Sequence, residues 1–126
     1  MEITRNGSET AAGPSEWFTG TVYIDSVAAP SGGSRLTASS VHFTPGARTA
    51  WHTHPNGQTI YVTEGVGLAQ RRGGPVEVIR PGDRVFFEPG EEHPACAPSK
   101  APVEGTGGDL CLSFPAHSLT VLALSV

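Results

Sequence analysis

The sequence predicts an all-β protein with a single domain, folded as a jelly-roll barrel, also called a double-stranded β-helix. Apolar and β-branched stretches recur between turn signals from Thr19 onward, which is typical of a sandwich or barrel. Turn formers are abundant, with Gly 16 and Pro 11, and no long apolar helical pattern interrupts the short strands. A chain of 126 residues encloses one core and one small cavity, so we expect no internal domain boundary.

The elements follow in order along the chain. Segment 1–16 is mostly polar and small, and we expect it to form an arm before a domain at 17–126. Candidate strands follow at 20–25, 36–43, 47–54, 58–64, 67–71, 76–80 and 84–88. The turns between them contain glycine or proline, which supply a positive or a fixed φ. Asn56-Gly57 is a favoured hairpin turn and should fold Gln58 back beside His54.

The tail at 94–126 differs in character from the rest of the domain. Prolines recur at positions 94, 98, 102 and 115, and we expect no clean strand directly after His93. Proline restricts such a segment to sheet edges and loops. The final apolar run, 119–126, can pair as one last strand. The abrupt change after His93 suggests a reading-frame shift as a hypothesis, and it leaves open whether the tail folds.

Three histidines indicate a metal site. His52 and His54 are separated by one residue, so a strand would point both imidazoles to the same face. His93 follows a Pro89-Gly90 turn, and Gln58 can add an amide oxygen. Nitrogen and oxygen ligands favour Mn, Fe, Ni, Co or Zn over Ca or Mg, and ligand type alone does not choose among them. For a bare His-x-His, two solvated histidines on a polar strand are the alternative.

The spacing around these residues resembles two signatures of the cupin superfamily. The first, G-x5-H-x-H-x3,4-E-x6-G, is matched by Gly46, His52, His54, Gln58 and Gly65. Gln58 stands where the family usually has Glu. The second, G-x5-P-x-G-x2-H-x3-N, is matched in part by Gly82, Gly90 and His93, with Glu88 at the proline position and Ala97 at the asparagine position.

The stretch 17–93 is more narrowly similar to small bacterial cupins of the (R)-mandelonitrile lyase type. The similarity lies in segments 16–20, 43–55, 57–59 and 81–83. It implies a cupin-type barrel in which His52, His54, Gln58 and His93 bind a divalent metal, manganese first and Fe, Zn, Ni or Co as alternatives. It also implies reversible cleavage of an α-cyanohydrin into an aldehyde and hydrogen cyanide, with the metal as Lewis acid. A homo-oligomer, either a dimer or a tetramer, is implied as well.

The general base for this reaction is left unassigned. His42 is a weak catalytic candidate, because strand alternation lets only one of Val41 and His42 face inward, and a surface histidine is the alternative. The family has a further histidine after the second motif as the base, and this chain lacks it. His117 lies in the atypical tail and receives no role.

The substrate is expected to be a small molecule, an aromatic cyanohydrin or aldehyde. Aromatic side chains that could line its pocket are Phe43, Trp51, Tyr61, Phe86 and Phe87. Packing in the core is their alternative role.

Composition argues against other partners. The net charge is −4 and there is no Lys/Arg cluster, so we expect no nucleic-acid partner. No apolar run is long enough for a bilayer and no signal-type apolar region follows Met1, so we expect a cytoplasmic protein without a membrane partner. A metal-dependent dioxygenase or isomerase, a non-catalytic cupin that binds a small ligand or metal, and an enzyme inactivated by its altered tail remain as alternatives.

Overall fold

The computed structural model describes residues 1–5, 9–93, 95–96 and 118–126, with backbone only at 95–96. Regular structure in these ranges consists of β-strands. They are β1 (Ala11–Ala12), β2 (Phe18–Thr19), β3 (Val22–Ala28), β4 (Thr37–Phe43), β5 (Arg48–Thr49), β6 (Gln58–Gly65), β7 (Gly67–Ala69), β8 (Glu77–Ile79), β9 (Arg84–Phe87), β10 (Ala95–Cys96) and β11 (Leu119–Ser125). The described residues include no helix that is both long and apolar enough to cross a membrane.

The strands form two sheets, and each observed pairing is antiparallel. The larger sheet has the order β1-β3-β4-β11-β6-β9, and the smaller has the order β2-β5-β10-β7-β8. One apolar core joins residues of both sheets, including Phe43 and Val62 from the larger sheet and Ala69 and Ile79 from the smaller one. Burying these side chains between the sheets is the main source of stability in such a fold. The predicted all-β barrel is confirmed.

β11 occupies the middle of the larger sheet. It pairs with β4 from Leu119 opposite Phe43 to Ser125 opposite Thr37, and it pairs with β6 on its other side. The close approach to β6 depends on Gly65, which has a φ of 81°, and where a Cβ would lie 1.9 Å from the Ser118 carbonyl oxygen. The predicted final strand is therefore confirmed, and it is central rather than peripheral.

Other strand predictions need correction. Segment 47–54 was expected to be one strand, but regular pairing is limited to Arg48–Thr49, with an isolated bridge between His52 and His93. The cause is that the His54 carbonyl accepts turn hydrogen bonds from Gly57 N (3.1 Å) and Gly90 N (3.0 Å) instead of joining a sheet.

The sequence prediction also missed three short strands. β1 lies in the segment expected to be an N-terminal arm and pairs with β3, and β2 pairs with β5. β10 lies between β5 and β7, so a short strand does follow His93, contrary to expectation. Two residues are too few to show a strand pattern in the sequence. Pro94 and residues 97–117, including His117, lie outside the described residues.

Candidate metal centre

The loop between β5 and β6 carries His52 and His54. The turn predicted at Asn56-Gly57 is present, with Gly57 at a φ of 79° and its N–H bonded to the His54 carbonyl. This turn starts β6 at Gln58, which lines the same cavity as both histidines. The local chain path thus places three side chains around one cavity.

His93 reaches this loop from the second motif. Its backbone bridges that of His52 in both directions, with His52 N to His93 O at 3.3 Å and His93 N to His52 O at 3.1 Å. Its ring stacks on that of Phe87, with centroids 3.5 Å apart and planes inclined by 8°. The side chain of His93 is fully buried. Backbone and ring contacts together fix its orientation.

The three imidazoles converge. Ring centroids are separated by 4.5 Å for His52 and His93, 5.1 Å for His52 and His54, and 5.8 Å for His54 and His93. One nitrogen from each ring can be chosen so that all three lie within 4.8 Å of one another. Nitrogens bound to one ion at about 2.0–2.2 Å lie at most about 4.4 Å apart, so small side-chain movements bring these three to binding distance.

The hydrogen bonds of the three histidines leave a ring nitrogen of each available to bind a metal. His52 Nδ1 donates to the Ala50 carbonyl at 2.9 Å. Because a carbonyl oxygen can only accept, this bond leaves the lone pair of the neutral ring on Nε2. His54 Nε2 and both ring nitrogens of His93 are buried without a hydrogen-bond partner. Unpaired buried nitrogens are costly unless something binds them, and one cation would satisfy His54 Nε2 and one of the two His93 nitrogens.

The surroundings favour the neutral form of His93 and His54. Burial first, and then the nearby His52 and His54, lower the pKa of His93 from 6.5 to about 3. The pKa of His54 is also lowered, first by burial and then by His52. A neutral imidazole is the form that binds a metal.

The histidines open into a cavity of about 500 Å³ between the sheets. Gln58 also lines it, so the four residues expected as ligands share one cavity. Among the described lining residues, Glu16 is the one carboxylate, and it is exposed at the rim. The charge near the three imidazoles is therefore low, because Gln58 supplies an amide instead of a carboxylate.

The aromatic candidates divide into three groups. Phe43 and Trp51 line the cavity. Phe87 packs in the core against His93. Tyr61 and Phe86 are 44% and 49% exposed and lie on the outer face of the larger sheet. The last two are not part of the pocket, because their strands present alternate residues to opposite faces.

His42 is not brought to the cavity. Val41 lines the cavity, and alternation along β4 turns His42 outward, where its Nδ1 hydrogen-bonds with Thr120 Oγ1 at 2.8 Å. The His42 ring also stacks on Tyr23. As a catalytic candidate it is placed on the wrong face of the sheet.

The sequence prediction missed part of the cavity wall. Trp17 and Phe18 line the cavity from the N-terminal side, and Val121 and Ala123 line it from β11. Trp17 reaches its place because its carbonyl accepts a hydrogen bond from Ala50 N at 2.7 Å. The alternation Leu119, Val121, Ala123 was a usable signal for β11, whereas the contact of Trp17 is long-range and has no local signature.

Comparisons with known proteins agree with this architecture. Residues 39–106 match the model of the Cupin domain family. An (R)-mandelonitrile lyase of Granulicella tundricola is 57% identical over 94 residues, which cover 74% of this chain and 72% of that protein. A cupin-like protein of Thermotoga maritima is 31% identical with a TM-score of 0.76, covering 99% of this chain and 80% of the other. A cupin-2 domain of Rhodospirillum rubrum has a TM-score of 0.70 at 17% identity, with coverage of 98% and 72%.

Proposed function

Because the chain belongs to the cupin family, we propose that it is a metal-dependent lyase that cleaves or forms α-cyanohydrins, releasing or adding hydrogen cyanide. The observation that carries this proposal is the convergence of three imidazoles on one cavity, with buried, unpartnered nitrogens on His54 and His93. The 57% identity to a protein named (R)-mandelonitrile lyase supplies the reaction.

The residues present fit a divalent ion. His52, His54 and His93 would hold it through nitrogen, and Gln58 would hold it through its amide oxygen. Such donors suit Mn²⁺, with Fe²⁺, Zn²⁺, Ni²⁺ and Co²⁺ as alternatives. We propose Mn²⁺ first, because the chain resembles manganese-dependent cupins in its two motifs.

The cation would supply Lewis-acid polarisation of the substrate oxygen. The chain's own part is to hold the reacting groups and exclude water. Gln58 leaves the cation's charge undiminished, where the glutamate usual in the family would neutralise part of it. A site of that charge would stabilise the negative charge that develops on the substrate oxygen and on cyanide.

The cavity walls suit an aromatic substrate. Trp17, Phe18 and Phe43 contribute aromatic surface, and Trp51 adds more directly beside His52. A volume of about 500 Å³ accommodates a benzaldehyde-sized molecule and lies within the usual range for small-ligand sites. We therefore propose an aromatic cyanohydrin or aldehyde as the substrate.

The test is a cyanide-release assay on racemic mandelonitrile with chelator-treated protein, before and after addition of Mn²⁺. We expect release of cyanide and benzaldehyde only after addition. Oxygen consumption by an iron-loaded sample, without cyanide release, would instead support a dioxygenase. Metal binding without turnover in either assay would contradict the lyase and leave a non-catalytic metal-binding cupin.

We also propose that the protein is a homo-oligomer, with a dimer formed through the outer face of the larger sheet. Tyr23, Tyr61 and Phe86 are each more than 40% exposed on this face. Leu122 and Leu124 of the central strand lie between them and are half-buried. An apolar face of this kind marks an interaction surface. A tetramer would need a second contact in addition to this one.

The charges on this face favour a second copy of the chain as the partner. Strand register places Asp25, Ser40, Leu122, Tyr61 and Arg84 in one row across five strands. The row is acidic at one end and basic at the other, and β11 runs through its middle. A two-fold axis along β11 would bring each Asp25 opposite the partner's Arg84, as a self-complementary interface requires.

Charge reversal tests this arrangement. Asp25→Arg and Arg84→Asp should each lower the mass measured by sedimentation equilibrium, and the double variant should restore it. Thr10→Val is the control for the hydrogen bond that Thr10 Oγ1 donates to Asp25 (2.6 Å), and it should leave the mass unchanged. A monomeric wild-type protein, or single variants that assemble like the wild type, would overturn the interface.

A further inference from the structure

Arg72 joins the two motifs from outside the cavity. It lies in the turn after β7, where Gly74 N donates to the Arg71 carbonyl at 2.9 Å. Its guanidinium carbon lies 4.5 Å from the centroid of the Trp51 ring. Its Nε donates to the Glu92 carboxylate, and its backbone N–H donates to the Glu92 carbonyl at 2.9 Å.

The partners of Arg72 are the residues that directly precede two histidines of the site. Trp51 precedes His52 in the first motif, and Glu92 precedes His93 in the second. The two motifs already meet through the backbone bridge of His52 and His93. That bridge fixes the backbones, whereas the Arg72 side chain ties the flanking side chains to each other.

Arg72 also supports a wall of the cavity. Trp51 is among the cavity-lining residues and Arg72 is not, and the Arg72 guanidinium lies over the Trp51 ring. Arginine can stack its planar group on an aromatic ring and still donate hydrogen bonds at its edge. One side chain can therefore hold the Trp51 ring and the Glu92 carboxylate at the same time.

We propose that Arg72 is a positioning residue, which sets the distance between the two histidine-bearing segments and holds Trp51 against the substrate. This inference rests on the proposed metal centre. Arg72 does not line the cavity, so it would act on the metal and substrate through Trp51 and Glu92. Its ion pair with Glu92 is partly exposed, with 56% and 43% of the two side chains accessible. Removing the Arg72 side chain should therefore weaken metal binding only moderately.

The neighbouring Arg71 offers a matched control. It makes a looser ion pair with Glu91, at 3.7 Å and with 68% of the Arg71 side chain exposed. The two variants Arg72→Ala and Arg71→Ala remove the same atoms from adjacent positions. Affinity for Mn²⁺ is measured by competition with a chelator. We expect roughly tenfold weaker binding for Arg72→Ala and less than about a twofold change for Arg71→Ala.

Further readouts separate positioning from general stability. Arg72→Lys keeps the charge near Glu92 but loses the planar stacking, so it should recover part of the Mn²⁺ affinity. In a Trp17→Phe background the remaining tryptophan is Trp51. Acrylamide should quench its fluorescence more strongly in Arg72→Ala than in Arg71→Ala. For mandelonitrile, KM should rise more than kcat falls.

The outcomes are distinguishable. Wild-type protein that binds none of Mn²⁺, Fe²⁺, Zn²⁺, Ni²⁺ and Co²⁺ would refute the metal centre itself, and this inference with it. A different outcome would overturn the role of Arg72 alone. In it, the wild-type protein binds Mn²⁺, and Arg72→Ala and Arg71→Ala have the same Mn²⁺ affinity and the same acrylamide quenching as their parent protein. If Arg72→Ala does not fold, Arg72→Lys and Glu92→Gln decide the question, because unchanged Mn²⁺ affinity in both would equally overturn it.

Discussion

Acidification should destabilise the metal-free protein through His93. The buried ring has a pKa of about 3 in the folded state, against 6.5 in an unfolded chain. Between these two pH values the unfolded chain binds a proton that the folded protein does not. The free energy of unfolding is therefore highest above pH 6.5 and falls as the pH drops towards 3.

The size of this effect follows from the difference between the pH and the pKa of His93 in the unfolded chain. pH 5 is about 1.5 pH units below the pKa of His93 in the unfolded chain. Protonation of the unfolded chain therefore lowers the free energy of unfolding at pH 5 by about 2 kcal/mol relative to pH 8. His54 adds to this in the same direction, because its pKa is also lowered. Metal binding opposes the effect by keeping the rings unprotonated.

Urea unfolding, followed by tryptophan fluorescence in the presence of chelator, measures this difference. His93→Gln keeps a buried polar side chain without a titrating ring. Subtracting its pH dependence from that of the wild type therefore removes the contributions of the other titrating groups. Wild-type protein should lose about 2 kcal/mol more than His93→Gln between pH 8 and pH 5. Equal losses in the two proteins would refute the argument that His93 is buried and neutral.

Three further predictions concern the metal and the fold. Gln58→Glu should retain Mn²⁺ but release cyanide more slowly, on the order of tenfold, because a carboxylate neutralises part of the cation's charge; loss of the metal, or faster release, would contradict this. Gly65→Ala should cost more than about 2 kcal/mol in urea unfolding, because of its positive φ and the 1.9 Å approach of a Cβ to Ser118 O. Gly82→Ala, which also has a positive φ but nothing within 4 Å, should cost less, and the reverse order would be inconsistent with the packing of β11. Chelator should lower the thermal midpoint, by the equivalent of about 2.7 kcal/mol when the free metal exceeds Kd a hundredfold; scanning calorimetry that finds no shift would contradict specific binding to the folded state.

Much of the larger sheet could be predicted from local patterns. Burial alternates along the whole of β9, over residues 40–43 of β4 and over residues 60–63 of β6, and turn residues mark the ends of these strands. The same alternation predicted that only one of Val41 and His42 faces inward. In the structure Val41 faces inward and His42 faces outward. β11 was predicted from its apolar run, but its central position depends on partners far away in the sequence.

The candidate site was predictable to the extent that its residues belong to compact motifs. His52 and His54 were expected to converge because they lie in one strand. They converge instead from an irregular loop, because the His54 carbonyl bonds to Gly57 and Gly90. The contribution of Trp17 to the wall and of Arg72 to the motif junction comes from long-range contacts, which leave no periodic trace in the sequence.

The metal content of purified, dialysed protein tests the central claim most directly. Elemental analysis should find one divalent ion per chain in the wild type and essentially none in the double variant His52→Ala/His54→Ala, with the β-sheet circular-dichroism spectrum retained in both. Equal metal content in the two proteins would show that these histidines do not form the metal site.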